Sequence, residues 1–393
     1  MEGFIQVLTG TQQPLSAVTM VMFLIGLDVR SYRRKTCFET SRTYCFYQKF
    51  IFVLWLIYFA HVLATIIGNE IISRIGINSI ISRKLPEIIA FLVWAVLMTR
   101  RKDISILLHD LYQLGIIFNK EFRPLWINLG AFVSIITPLM SWSSIYLTFG
   151  EDDCKSLMTY YSLNFYYAPE GKNCRIIMGL NFFYHVATYT LPTTVAVTYV
   201  IICHFLSDLL KLHARRGSKR ADSLCYKFEY NYIRNYLMVY EYIIKALKSL
   251  ERTLSLPIFL IEVCDCMGIF YGFVKLDSIG KFSLQRSYVE SHFLKITFVS
   301  LRALVSYLCV SFAASSIHDA SKNAKDVQEE MLKRILVSEQ KNDSKGMFLL
   351  FVAHNGPPFT LSAWGFFNFT KGTVLATAGS ILTYSLLMLQ IAK

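Results

Sequence analysis

The chain has 393 residues, of which 54% are hydrophobic, 15% aromatic and only 17% charged, and its mean hydropathy is +0.42. Soluble domains carry about a quarter charged residues, so the missing charge excludes an ordinary water-soluble globule and points to lipid as the solvent. The net charge of +13 does not call for nucleic acid, because the basic residues fill gaps between apolar runs, where they orient a membrane protein.

In chain order, the first apolar stretch is "PLSAVTMVMFLIGL" at 14–27. About 20 apolar residues are needed to cross a bilayer, so this one is too short to span. It also lacks the basic start of a signal peptide. It reads as an interfacial helix followed by a basic anchor, "RSYRRK" at 30–35. Seven longer runs follow, at about 50–69, 85–99, 125–149, 176–206, 255–274, 293–317 and 372–392. The second is the weakest, being short and carrying Glu87; the fourth exceeds a membrane's thickness and is expected to continue as a helix into solvent. Backbone groups cannot stay unpaired in lipid, so these runs predict an all-α membrane protein with seven transmembrane helices. The expected organisation is an N-terminal segment at 1–49, six spans with cytoplasmic extensions at 50–320, an anchor region at 321–371 and a last helix at 372–393.

Lys and Arg set the orientation. The flank before the first span and the second-to-third, fourth-to-fifth and sixth-to-seventh connections are basic, the richest running from Lys211 to Arg252. The alternate connections are poorer, which predicts a cytoplasmic N-terminus and, after seven crossings, an extracellular C-terminus. That is the reverse of a G-protein-coupled receptor.

Of the nine cysteines, Cys154 and Cys174 are the two in a connection assigned outside. Either they are unpaired thiols or they form a disulfide, which would close a loop of about 20 residues and contribute roughly 3 kcal/mol. Cys264 and Cys266 lie inside the fifth span without a second pair, so no metal site is expected. The sequons at Asn342 and Asn368 fall on the predicted cytoplasmic side, where neither would be glycosylated.

No phosphate-cradling Gly-rich loop, H-E-x-x-H or G-x-S-x-G element is present, so no enzyme is indicated and no cofactor is expected. His61 and His185 read as packed core histidines. Glu262, Asp265 and Arg302 are intramembrane charges, which face a bundle interior or a wet cavity; an internal ion pair, snorkelling and a gating role all fit. Glu262 and Asp265 are one helical turn apart and share a face. Two amphipathic segments, 230–257 and 326–340, suggest a packed helical base, with Tyr232, Tyr236, Tyr240, Ile243 and Leu247 on one stripe. Pro257 fits a kink where the fifth run begins.

The end of the chain is the most specific part. A Gly-Pro-Pro turn at 356–358 leads through "SAWGFF" at 362–367 to a terminal helix carrying Thr383, Tyr384 and, after five residues, Gln390. This order resembles the insect gustatory receptor family, within the seven-helix chemoreceptor superfamily that includes odorant receptors. The family signature is TY, five mostly apolar residues, then QF; Ile391 replaces the Phe.

The resemblance implies a ligand-gated cation channel, a homo- or heterotetramer at the plasma membrane of a sensory neuron dendrite. Each subunit would give its last helix to a central pore, and a small-molecule tastant would bind in the extracellular half of the bundle. No G protein is required. Thr383, Leu387 and Gln390 share one helix face. Around a four-fold axis Leu387 would form an apolar ring and Gln390 a polar ring near the mouth, with Ile391 beside it. Alternatively Gln390 caps the helix end. Aromatic candidates for the ligand pocket are Phe91, Trp94, Trp142, Tyr146, Phe183, Tyr184, Tyr189, Phe270 and Tyr271, any of which also suits lipid contact or packing.

A G-protein-coupled receptor is disfavoured by the charge bias and by the lack of D-R-Y and N-P-x-x-Y triplets at span ends. A secondary transporter would show internal repeats, which are not apparent. Epitope tags test the orientation: an N-terminal tag should stain only after permeabilisation and a C-terminal tag on intact cells, whereas a C-terminal tag hidden until permeabilisation would overturn it.

Overall fold

Apolar stretches of this length satisfy their backbone only as helices when lipid surrounds them. The structure, a computed structural model, describes residues 15–29, 42–73, 77–146, 174–222, 230–281, 286–337 and 356–391, together with Gly346, Leu349 and Val352. Its helices are α1 (Ser16–Leu24), α2 (Arg42–Ser73), α3 (Ile77–Phe118), α4 (Pro124–Tyr146), α5 (Cys174–Asp222), α6 (Tyr230–Lys281), α7 (Arg286–Val337) and α8 (Lys371–Ile391). A short antiparallel ribbon, β1 (Ser362–Ala363) and β2 (Phe367–Asn368), precedes α8.

Each apolar run lies in one of α2 to α8, apart from residues 147–149 and 392, which fall outside the described residues. Among the described residues, five stretches are long and apolar enough to cross a membrane: Tyr44–Gly68, Pro124–Ser144, Met178–Arg220, Tyr230–Phe273 and Ile296–Ile335. The runs at 85–99 and 372–392 sit in α3 and α8, outside those five. At about 1.5 Å per residue, α5, α6 and α7 each exceed 70 Å, more than twice the roughly 30 Å of hydrocarbon. They therefore continue well past the membrane, as expected for the fourth run.

Segments read separately in sequence join up here. Residues 230–257 and the run 255–274 form the single helix α6, which passes through Pro257. Proline brings no N–H to the carbonyl four residues earlier. Arg100 of α3 donates to that carbonyl, Thr253 O, at 3.3 Å and to Arg252 O at 2.5 Å. In the same way, the run 293–317 continues into the amphipathic segment as far as Val337 in α7.

The core forms around α5, which packs on α7, α4, α3 and α6. Leu191, Val195, Tyr199, Ile202, Cys203, Leu206, Leu209 and Leu210 are all inaccessible. Two of its buried hydroxyls turn inward on the helix itself: Thr194 donates to Thr190 O and Thr198 to Thr194 O, each at 2.6 Å. By contrast, α2 exposes Phe50, Phe52, Leu54, Leu56 and Ile57, an apolar surface suited to lipid. The N-terminal stretch does form a helix, α1, with Val18, Val21 and Met22 buried against the bundle and Met20 and Leu24 exposed.

The helical base anticipated from the amphipathic segments is present. Ile233, Tyr236 and Leu237 of α6 cluster with Met331 and Ile335 of α7. His213 of α5 stacks on Tyr236 at 3.9 Å. Tyr240, Ile243 and Leu247 continue the same buried stripe.

Near the other end of α6, Gly268 and Gly272 let α7 approach closely. A Cβ at Gly272 would lie 1.8 Å from Ser300 Oγ, and one at Gly268 would lie 3.1 Å from the Ala303 Cβ. Small residues four apart allow such helix contacts in lipid. Gly272→Leu should therefore push α6 from α7 and lower stability by about 1–3 kcal/mol. Gly179→Ala, with nothing within 4 Å of its Cβ, is the control. Unfolding of the purified chain measures both, and equal stability of the two variants would contradict the close contact.

Candidate functional site

The intramembrane charges resolve into two arrangements. Asp265 of α6 pairs with Arg302 of α7, Arg302 Nη2 donating to Oδ1 at 2.9 Å, with side-chain exposures of 1% and 14%. The Arg302 guanidinium also sits 5.2 Å from the centre of the Tyr189 ring on α5. The pair therefore joins three helices. Glu262, one turn back on α6, is outside this pair: it is 1% exposed, and neither carboxyl oxygen has a hydrogen-bond partner among the described residues. Asp265 Oδ2 and Arg302 Nε are likewise buried without partners.

A small cavity borders the ion pair. Pro86 and Ile89 of α3, Thr188, Tyr189 and Pro192 of α5, and Ile261 and Cys264 of α6 complete its lining. It has room for about one water molecule. Both prolines lie inside helices, and Pro192 brings no N–H to the carbonyl of Thr188. The walls are thus mostly apolar, with the guanidinium-bearing Arg302 and the carboxylate-bearing Asp265 among them. Such a mixture binds small molecules through apolar contact and orients them with a few polar groups.

The aromatic candidates are distributed differently from a single pocket wall. Phe91 stacks on Phe59 at 4.0 Å and Trp94 on Trp55 at 5.3 Å, both between α2 and α3. Tyr184 reaches the same cluster through Tyr58 at 5.0 Å. The Tyr184 hydroxyl accepts from Lys84 Nζ at 3.2 Å, and Lys84 pairs with Glu87 at 3.1 Å. Trp142 and Tyr146 stack on each other at 5.3 Å along α4, and Trp142 Nε1 donates to Met178 O. Phe183 is 69% exposed and Tyr271 is also exposed, while Phe270 is half-buried. Tyr189 is the one candidate that lines the cavity beside the ion pair. Its neighbour His185 is buried and shares a 3.0 Å hydrogen bond with Ser141.

Thr188, Ile261 and the two prolines were not anticipated as site residues. Their meeting depends on how four helices pack, which periodicity along one helix does not encode. The available signal was a proline in the middle of one apolar run and another beside Glu87, in a chain with charges in two later runs. Cys154 lies outside the described residues, as does the side chain of Cys174, which opens α5. Cys264 and Cys266 are unbonded, and no group of three or more potential metal ligands occurs among the described residues.

The terminal helix is held at its start by the ribbon. Trp364 and Gly365 both have positive φ, at 49° and 76°, in a tight turn. Glu251 of α6 accepts from Ser362 N at 3.1 Å and from the Ser362 hydroxyl. Thr360 bonds His318 at 2.8 Å, and Lys371 pairs with Asp319 of α7 at 2.7 Å. Beyond that start, α8 packs through Val374 and Ile381 against Ile269, Ala303 and Tyr307. Ser385 is buried, while Leu382, Thr383, Tyr384, Leu386, Leu387 and Gln390 are exposed. Thr383 Oγ1 donates back to Gly379 O at 2.8 Å. Ile391 ends the helix, its side chain outside the described set.

The ion pair yields a stability prediction. Asp265→Ala leaves the Arg302 charge buried and alone, and should cost about 3–5 kcal/mol. The double change Asp265→Asn with Arg302→Gln removes both charges together and should cost clearly less. Thermal unfolding of the full chain in lipid nanodiscs distinguishes them; a double variant as unstable as Asp265→Ala would contradict the pairing.

Comparison with known proteins places this architecture. Residues 15–393 match the model of a family described as 7tm Chemosensory receptor. A comparison with curated proteins returns no match. Among solved structures, the insect olfactory receptor OR5 from Machilis hrabei in complex with eugenol is similar in fold. Its TM-score is 0.70 at 10% identity, covering 96% of this chain and 97% of that one. The structure of the same receptor described without a named ligand gives a TM-score of 0.66 at 11% identity, covering 95% and 97%. The apolar helices and the family together make this a multi-pass membrane protein, and the chain belongs to the 7tm chemosensory receptor family.

Proposed function

We propose that the protein is a gustatory-type chemoreceptor acting as a ligand-gated, non-selective cation channel. Four subunits would surround an axis lined by α8, in a plasma membrane with the N-terminus cytoplasmic. The observation that carries this reading is the surface of α8. Leu375 is 74% exposed, and Leu382, Tyr384, Leu386 and Leu387 are each about half exposed or more. So much apolar surface on one helix needs lipid or a partner to cover it. Thr383, Leu387 and Gln390 punctuate it at i, i+4, i+7, which suits a helix facing an aqueous axis on one side and neighbours on the others.

Several features support the reading. The terminal helix is tied through the ribbon to α6 and α7, which also hold the buried ion pair, so movement around the cavity has a mechanical route to α8. The OR5 receptor forms a complex with eugenol, and a small organic ligand is inferred for this chain by analogy. A tastant such as a sugar or a bitter compound would bind within the bundle and open the pore without a G protein. Currents from cells expressing this chain alone, tested against sugars and bitter compounds, provide the test. Substrate uptake without conductance would replace the channel reading with a transporter.

Pore variants sharpen that experiment. Leu387→Ala should widen the apolar constriction that keeps the closed pore dry, raising ligand-independent cation current. Gln390→Lys should place four positive charges around the mouth. At about 8 Å and an effective dielectric of about 20, each pair repels by roughly 2 kcal/mol, so cation conductance should fall steeply. Leu386→Ala, about 100° around the helix, is the control. Surface-expressed Gln390→Lys channels with unchanged conductance and selectivity would remove Gln390 from the pore.

A further inference from the structure

The turn between α3 and α4 is fastened to the outer face of α5 at three points. Phe122 stacks on Phe205 at 4.0 Å, Lys120 pairs with Asp208 at 2.7 Å, and Trp126 lies over His204 with ring centres 6.4 Å apart. These contacts set the level of α4 against α5. The apolar stretch of α4 starts at Pro124, and Trp favours the headgroup level of a bilayer, so His204 stands at one membrane boundary. From there α5 carries a ladder away from the membrane. His204, Asp208, Lys211, Arg215 and Lys219 recur at helical spacing within one arc of about 80°. Lys211, Arg215 and Lys219 are exposed, as is Arg123 of the turn, and no ion pair engages these four among the described residues. Asp208 is already spent on Lys120, which leaves Glu121 as the other acid of the turn. On the membrane side of the boundary, Leu125, Leu129 and Phe132 are exposed at i, i+4, i+7 and form one apolar track on α4.

We propose that the ladder binds an anionic phospholipid whose headgroup carries phosphate monoesters beyond its diester phosphate, with the acyl chains lying along the α4 track. A lipid uses both halves of this surface, whereas a soluble polyanion would leave the apolar track unused. Arg123, beside the boundary, suits the diester. Lys211 and Arg215 stand about 10 and 16 Å further along α5 than His204, while the headgroup region is only about 5–8 Å deep on each side of a bilayer. A headgroup that ends within that layer falls short of them. Phosphates projecting past it arrive at both cations, the guanidinium taking one through two parallel N–H bonds and the ammonium acting as a point charge. The three contacts that hold the turn on α5 keep these cations in place before the lipid arrives. Under the orientation proposed above this boundary is the cytoplasmic one, where anionic lipids concentrate; the binding test holds for either orientation.

Three probes separate the possibilities: phosphatidylinositol bisphosphate and phosphatidylserine, both with short eight-carbon chains, and soluble inositol trisphosphate. Each is titrated onto the full-length chain in phosphatidylcholine nanodiscs while the unfolding midpoint is followed, since a ligand that binds the folded state raises it. The bisphosphate lipid should act at a concentration at least about tenfold lower than either of the others. Lys211→Gln with Arg215→Gln should weaken it about thirtyfold, from about fivefold for each basic residue near a membrane surface. Lys245→Gln with Lys248→Gln removes the same charge from exposed positions on α6, outside the ladder, and should leave the bisphosphate lipid's effect nearly unchanged. Phosphatidylserine as effective as the bisphosphate lipid overturns the proposal, because the far cations then play no part. Inositol trisphosphate as effective as the lipid also overturns it and assigns the ladder to a soluble polyanion. So does an equal loss in the two double variants, which would mean diffuse attraction to positive charge. The ranking of probes on the unaltered chain decides even if a variant does not fold.

Discussion

The bundle is arranged around a helix whose central turns water and lipid hardly touch. α5 runs between α3, α4, α6 and α7, and its central residues from Leu191 to Leu210 are largely inaccessible. A helix so enclosed must satisfy each polar side chain locally or through its neighbours. Thr188, Thr194 and Thr198 do so by bonding their own preceding turn, whereas Thr190 Oγ1 and Thr193 Oγ1 are buried without a hydrogen-bond partner among the described residues. Tyr189 lies instead beside the cavity and the ion pair. The cavity thus borders the central helix where Tyr189 meets the ion pair.

Two prolines mark that place. A proline inside a soluble helix costs about 3 kcal/mol or more, but within a membrane bundle neighbouring helices can supply the lost partner. Pro257 illustrates the satisfied case, where Arg100 reaches the carbonyl of Thr253 across from α3. Pro192 borders a space with an ion pair beside it. The contrast separates a proline whose freed carbonyl a neighbouring helix takes up from one that borders a small cavity.

The helical architecture was legible in the sequence because its signals are local. Hydropathy located helices α2–α8, five of which hold stretches long and apolar enough to cross a membrane among the described residues, and the stripe from Tyr232 to Leu247 anticipated the packed base. Spacing along one helix brought Glu262 and Asp265 together on a face, yet it left their fates undecided. Asp265 pairs with Arg302, thirty-seven positions later, whereas Glu262 has no hydrogen-bond partner among the described residues; that difference depends on the rotation of α7 against α6. Close approach at Gly268 and Gly272 sets that rotation, and it involves Ser300 and Ala303, residues with no sequence signature. The aromatic candidates show the same limit. Phe91 and Trp94 stack on α2, Phe183 faces outward, and Tyr189 alone borders the cavity, although all have similar surroundings in the sequence.

The remaining question is how a cavity framed by α3, α5, α6 and α7 can influence α8, which does not line it. Two connections exist, and they differ in character. Packing of Val374 and Ile381 on Ile269, Ala303 and Tyr307 is apolar, so it resists separation but tolerates sliding. The links from Glu251 to Ser362 and from Asp319 to Lys371 are directional and lie at the start of α8. They fix that end of the helix to α6 and α7. Asp265 and Arg302 sit on those same two helices, one residue or less from positions that α8 touches or faces: Cys266 packs against the α8 cluster and Ala303 belongs to it. A change in the spacing of α6 and α7 at the ion pair would therefore be felt where the two helices cradle α8, while the ribbon end stayed fastened. The expected response of α8 is therefore a pivot about Lys371 rather than a translation, with the largest displacement at the Leu387 and Gln390 end.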